Sequence, residues 1–216
     1  MPAPVTQSYD ARWGYRDIDA RRYERRRYGG LVRTLALESL KRAFGRALAD
    51  VAPPGVVLDI PCGTGILAEL LRGRGFRVVG ADISPAMLEV AREHEGFAGV
   101  VRADLEVPPW RPGTFDAVVC SRFLMHLSPE GRPPVLRTLA ALSRGPLVAT
   151  VCHPYTVKQL LRRGRRALGL RAKQSQRLTR SRLAAEVRDA GCVLERVVPV
   201  FPVLSEVWVV VIRTAP

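Results

Sequence analysis

Val56-Val57-Leu58-Asp59-Ile60-Pro61-Cys62-Gly63-Thr64-Gly65-Ile66-Leu67 is the stretch whose reading decides how this chain folds. Its first five residues are an apolar run broken by a single carboxylate, short enough for a strand and without the polar alternation of a half-exposed one. Pro53-Pro54-Gly55 in front of it stops a helix and marks a turn. Behind it, two glycines let the backbone turn tightly and approach a ligand, and the pattern from Ile66 to Arg72 has helical spacing. A strand, a glycine loop and a helix start in that order place free N–H groups beside the loop, where nucleotide-like ligands are held.

The same alternation continues outward. Arg77 to Ala81 reads as a second strand, followed by Ser84 as N-cap and Pro85 as first residue of a helix to Glu93. Val100 to Ala103, Ala117 to Cys120 and Leu147 to Cys152 read as three further buried strands. A helix with Pro133 and Pro134 near its start, carrying Leu136, Leu139 and Leu142 on one side, lies between the last two. Leu183 to Ala190 is a helix closed by Gly191, and Val193 to Val200 and Val207 to Ile212 are strands joined by a link too short for anything but an antiparallel return. These elements predict an α/β fold: a doubly wound, mostly parallel seven-stranded sheet with an antiparallel last strand and its ligand at the carboxyl ends of the strands.

Before Pro53, residues 1–9 read as a frayed, Pro-rich start, and residues 10–50 as one or two helices with Leu31, Leu35, Leu40, Phe44 and Leu48 at roughly helical spacing. We therefore divide the 216 residues into an N-terminal helical cap segment, 1–50, and a domain, 51–216, with a basic insertion at 157–182. Apolar residues make up 47% and charged residues 25%, which suits a folded core and excludes wholesale disorder. No apolar run reaches the roughly 18 residues of a membrane span, and the N-terminus has no signal-peptide pattern, so a cytoplasmic location is expected. Four scattered cysteines with no C-x-x-C pair argue against a disulfide framework and predict no metal site.

The net charge of +14 is concentrated. Residues 12–46 carry 11 basic and 4 acidic side chains, and residues 158–182 carry 10 basic and no acidic ones, so the remainder of the chain is slightly acidic. Charge confined to two segments suggests a surface that meets an anionic partner, although an arginine-rich solvated surface would look the same.

Gly63-Thr64-Gly65-Ile66-Leu67-Ala68 satisfies the dinucleotide fingerprint, with Asp82 at a plausible distance for a ribose contact, so a nicotinamide-dependent oxidoreductase is one reading. Asp59 separates it from another: a carboxylate inside the turn repels a pyrophosphate but suits a cofactor bearing an amino group and a sulfonium. Asp82 ends the second strand beside Ile83 and Met87, and Asp104 follows the third, a second carboxylate at the same sheet edge.

From residue 55 to residue 212, VVLDIPCGTGIL, VVGADISPAML, RADLEVPPW and FDAVVCSRFLMHL follow in an order and spacing that resembles the class I S-adenosylmethionine-dependent methyltransferases, in particular their small-molecule, quinone-biosynthesis-like branch. The resemblance implies that Asp59, Gly63 and Gly65 hold the methionine part of S-adenosylmethionine, Asp82 its ribose, Ile83 and Met87 its adenine face, and Asp104 with Leu105 the adenine edge. Pro61 and Ser121 complete the implied contacts, Pro61 standing where the family often has its first loop glycine. His126 and His153, after the fourth and fifth strands, are the candidates for proton transfer. The family also implies that the N-terminal helix and the insertion flank the acceptor. Val157, Leu160, Leu161 and Leu168 among Lys158, Arg162, Arg163, Arg165 and Arg166 describe an amphipathic cationic helix, which predicts a small-molecule or lipid-like acceptor and peripheral contact with an anionic membrane. RNA is the alternative acceptor, and a noncatalytic cofactor-binding module the alternative to an enzyme.

Overall fold

Successive side chains of a strand point to opposite sides, and this sorts the apolar runs of the chain into two cores on the two faces of one sheet. The computed structural model of the protein describes residues 19–22, 31–156, 159, 177–201 and 204–215. Strands β1 (Val56–Asp59), β2 (Arg77–Asp82), β3 (Gly99–Arg102), β4 (Ala117–Cys120), β5 (Leu147–Cys152), β6 (Cys192–Pro199) and β7 (Val207–Thr214) form a seven-stranded sheet in the order β3-β2-β1-β4-β5-β7-β6. The first five pair in parallel, and β7 runs antiparallel to both β5 and β6. The predicted sheet, with its antiparallel last strand, is the observed one. Chain direction across the sheet reverses between β1 and β4, so the crevice for a ligand opens at their carboxyl ends.

Helices α1 (Leu31–Ala47) and α2 (Ala68–Gly73) cover one face, where Leu40, Phe44, Leu48 and Leu71 pack against Val57, Val119, Val148 and Val209. Helix α3 (Pro85–Ala91) flanks β2 and β3. Its N-cap is Ser84, whose hydroxyl accepts from the Met87 N–H, and Pro85 occupies the first turn as read from the sequence. A 3-10 turn, Leu124–His126, follows β4. Helices α4 (Arg132–Ala141) and α5 (Arg180–Asp189) cover the second face, setting Leu136, Leu139, Leu183 and Val187 on Leu58, Val118, Leu147 and Ile212.

Three details differ from the sequence reading. Leu35 is 56% exposed, whereas Leu40, Phe44 and Leu48 of the predicted stripe pack against the sheet. β3 is an edge strand with mostly exposed residues, Val101 among them, rather than one buried on both faces. The helix after the glycine loop starts at Ala68, two residues later than Ile66. Residues 20–22 are helical, while the frayed start at 1–9, residues 10–18 and 23–30, and the cationic helix read over Val157 to Leu168, apart from residue 159, lie outside the described residues.

A buried ion pair ties the second helical layer to the end of β4. Arg132, only 2% exposed, donates from Nε and Nη2 to Glu186 of α5 at 2.7 and 2.8 Å, and from Nη1 to the Leu127 carbonyl at 2.8 Å. Removing one partner of such a pair leaves an uncompensated buried charge. Glu186→Ala is therefore expected to lower stability by about 3–5 kcal/mol in urea unfolding. Glu195→Ala, which breaks the exposed pair with Arg213, should cost less than about 1 kcal/mol. Equal losses in the two variants would contradict this account of the α4–α5 junction.

Candidate active site

The carboxyl ends of β1, β2 and β4 frame a cleft whose floor is the loop that follows β1. In that loop Gly63 and Gly65 adopt the left-handed conformation, with φ of 55° and 90°. A Cβ on Gly65 would come within 2.8 Å of the Phe97 ring, so glycine is required there both for its backbone angle and for the close approach of α3's flank. Gly65 thus shapes the loop from behind and does not line the cleft, whereas Asp59, Pro61 and Gly63 do.

Two carboxyls meet at the strand ends. Asp59 is 1% exposed, and burial, reinforced by the nearby Asp82 carboxylate, pushes its pKa up to about 8. Asp82 accepts hydrogen bonds from the Gly63 and Ser84 N–H groups, each at 2.9 Å, which partly offset the upward push of its own burial. Among the described residues, three buried side-chain polar atoms lack a hydrogen bond, and two of them, Asp59 Oδ1 and Ser121 Oγ, belong to residues that line this cleft. Unsatisfied polar atoms are costly in a packed interior, so their coincidence here marks a place built to receive polar groups of a ligand.

The remaining walls are apolar or half-exposed. Ile83, Met87 and Leu105 line one side beside Asp104, whose carboxylate also accepts from the Glu106 N–H at 3.0 Å. Phe123, half-buried, and His126, exposed, lie toward solvent after β4. Cys62 lines the cleft too, but burial and the two carboxylates hold its thiol well above the usual range, which makes it a poor nucleophile. Ten of the twelve site residues read from the sequence therefore line one cleft: Asp59, Pro61, Gly63, Asp82, Ile83, Met87, Asp104, Leu105, Ser121 and His126.

His153 is placed elsewhere. Its ring stacks on Trp208 at 4.2 Å and 15°, its Nδ1 accepts from the Tyr155 N–H at 3.2 Å, and it hydrogen-bonds the Ser205 backbone. Burial lowers its pKa. With the ring so engaged, it clamps the end of β5 to the start of β7 and stands outside the cleft lining. Conversely, Arg122 lines the cleft and was not foreseen. Among the described residues it is the non-glycine residue with positive φ, 61°, and its N–H donates to the fully buried Thr150 hydroxyl at 2.5 Å. Strain of this kind gathers at functional sites, and no sequence pattern announces an arginine in that conformation. Among the described residues no group of three His, Cys, Asp or Glu side chains could hold a metal ion.

Comparisons with known proteins address the same region. Residues 57–144 match the family model described as a methyltransferase domain. The 18S rRNA (guanine-N(7))-methyltransferase of Schizosaccharomyces pombe is 37% identical over 107 residues, 49% of this chain and 38% of that protein. The ubiquinone biosynthesis O-methyltransferase of Xylella fastidiosa (strain 9a5c) is 31% identical over 163 residues, 65% of this chain and 62% of that protein. The chain thus spans less than two thirds of the length of these curated relatives. A crystal structure of magnesium protoporphyrin IX methyltransferase from Synechocystis PCC 6803 with bound SAH superposes with a TM-score of 0.73, covering 94% of this chain and 98% of that one at 20% identity, a likeness of fold. The glycine loop, the paired strand-end carboxyls and the sheet order agree with the methyltransferase-domain match over residues 57–144, and the chain has the fold of the class I S-adenosylmethionine-dependent methyltransferases.

Proposed function

We propose that the chain binds S-adenosylmethionine in the cleft after β1 and transfers its methyl group to an anionic small-molecule or lipid-like acceptor that enters beside Phe123 and His126. The observation that carries the cofactor assignment is the buried, unpaired Asp59 oxygen at the floor of that cleft. A cofactor ammonium supplies the positive charge and hydrogen bond this carboxyl lacks, whereas a pyrophosphate would be repelled. In this reading Ser121 takes a further polar group of the cofactor's amino-acid part, Asp82 the ribose hydroxyls, Ile83 and Met87 the adenine face, and Asp104 with Leu105 its edge.

The bound cofactor supplies a sulfonium methyl whose leaving group is a neutral thioether, so the protein's task is alignment more than acid catalysis. His126, which lines the cleft, takes the proton in this reading from an acceptor that must lose one. The concentration of positive charge in residues 12–46 and 158–182 supports an anionic acceptor and peripheral contact with an anionic membrane. A second reading, methylation of RNA, is favoured by the similarity to the Schizosaccharomyces pombe rRNA methyltransferase. Incubation with tritiated S-adenosylmethionine, followed by separate counting of lipid-extractable, small-molecule and RNA fractions of a lysate, decides between the readings.

Three outcomes are expected in calorimetry and thermal unfolding. S-adenosylmethionine should bind and NAD should not; saturable NAD binding without S-adenosylmethionine binding would move the site to the oxidoreductase class. Asp59→Asn should weaken cofactor binding roughly 10- to 100-fold, the range of a charge-assisted hydrogen bond, and Asp82→Ala by a similar factor. Because the folded pKa of Asp59 is raised, its contribution to stability is complete below pH 4 and is lost as pH rises through about 8. The melting temperature of Asp59→Asn relative to wild type, both without cofactor, should therefore be higher at pH 8.5 than at pH 5, and a pH-independent gap would show that Asp59 is not held protonated.

A further inference from the structure

A second concavity, an open groove of about 840 Å³, lies between α1, the start and end of α2, and the chain leaving β6. Lys41, Arg42 and Arg46 line it from α1 and Arg74 from beyond α2, with Glu38 and Glu69 as the carboxylates. Glu38 pairs with Lys41 at 3.3 Å, and Glu69 Oε1 lies 3.6 Å from His94 Nδ1, an ion pair only when His94 is protonated. Arg42 and Arg74 pair with no carboxylate among the described residues.

The groove is shaped around one of these cations. Gly45 sits inside α1, where glycine costs about 0.8–1.0 kcal/mol relative to alanine. A Cβ there would lie 3.1 Å from Arg74 Nη1, so the glycine lets the guanidinium rest directly on the helix. Phe201, 50% exposed, lines the same groove beside Val200. Four cations along a concave track with one exposed aromatic ring is the arrangement that holds a phosphodiester chain and stacks a base. An anionic bilayer is flat and is met by a convex apolar face, which this groove does not offer.

We propose that this groove binds single-stranded nucleic acid, with Lys41, Arg42, Arg46 and Arg74 on its phosphates and Phe201 stacked on a base. The proposal concerns docking and stands whichever molecule accepts the methyl group. It is tested by fluorescence anisotropy of the full chain with a labelled 20-nucleotide oligouridylate, its DNA counterpart oligothymidylate, and phosphatidylglycerol vesicles, between 50 and 200 mM salt. Wild type should bind the oligonucleotides with a log–log salt slope at least as steep as about −3, since each neutralised phosphate of a single strand contributes roughly −0.7.

Arg42→Ala combined with Arg74→Ala should weaken binding about tenfold or more and make the slope shallower by about 1.4. Phe201→Ala should weaken binding at least about fivefold with the slope unchanged, because stacking is uncharged. Cofactor affinity measured on the same preparations should be unchanged in both variants; its loss in wild type would count against the cofactor reading and not against the groove. Equal binding of the two oligonucleotides upholds the groove as a reader of the shared backbone, and preference for oligouridylate upholds it as an RNA surface. Oligonucleotide binding that is unaltered in the double variant, or wild type that binds only the vesicles or nothing, overturns the proposal.

Discussion

The site depends on a buried carboxyl, Asp59, whose Oδ1 has no hydrogen-bond partner among the described residues. Asp59 ends β1 at the floor of the cleft, is 1% exposed, and lies near Asp82 at the end of the neighbouring strand. Ionising it without a counter-charge is unfavourable, so in the unliganded protein it keeps its proton to about pH 8. A ligand that brings a positive charge and a donor reverses that balance, and in the proposed function this differential is what Asp59 offers to an adenosyl amino acid.

The rest of the fold holds that carboxyl in place. Parallel pairing of β1 with β2 and β4 brings three strand ends together. The glycines of the loop are left-handed, and the Gly63 N–H donates to Asp82. On the second face, the buried Arg132–Glu186 pair fixes the segment after the turn that carries His126, through the Leu127 carbonyl. The cleft is thus supported by one hydrogen-bonded end at β2, one buried ion pair behind β4, and two packed faces.

Much of this was legible in the sequence because burial on both faces leaves a local trace. The runs at Val56, Ala117 and Leu147 are strands for the reason the composition states, and the Ser84-Pro85 start of α3 was visible as a cap. What was not legible is relational. The valines of β3 look like those of a central strand, and only the sheet order makes β3 an edge. His153 shares its position after a strand with His126, yet β7 returns beside β5 and brings Trp208 and Ser205 onto its ring. Arg122 follows Ser121 in a motif that was read, but its left-handed backbone goes with a hydrogen bond to Thr150, 28 residues away. The meeting of Gly45 with Arg74 is likewise a tertiary event between two helices.

The central claim, that Asp59 is protonated in the free protein and ionised by the cofactor, is tested most directly by counting protons. Titration calorimetry of S-adenosylmethionine binding at pH 6.5, repeated in buffers of different ionisation enthalpy, measures the protons exchanged per site. Release approaching one proton per cofactor, abolished in Asp59→Asn, is the predicted result. Tight binding with no proton released would contradict the account.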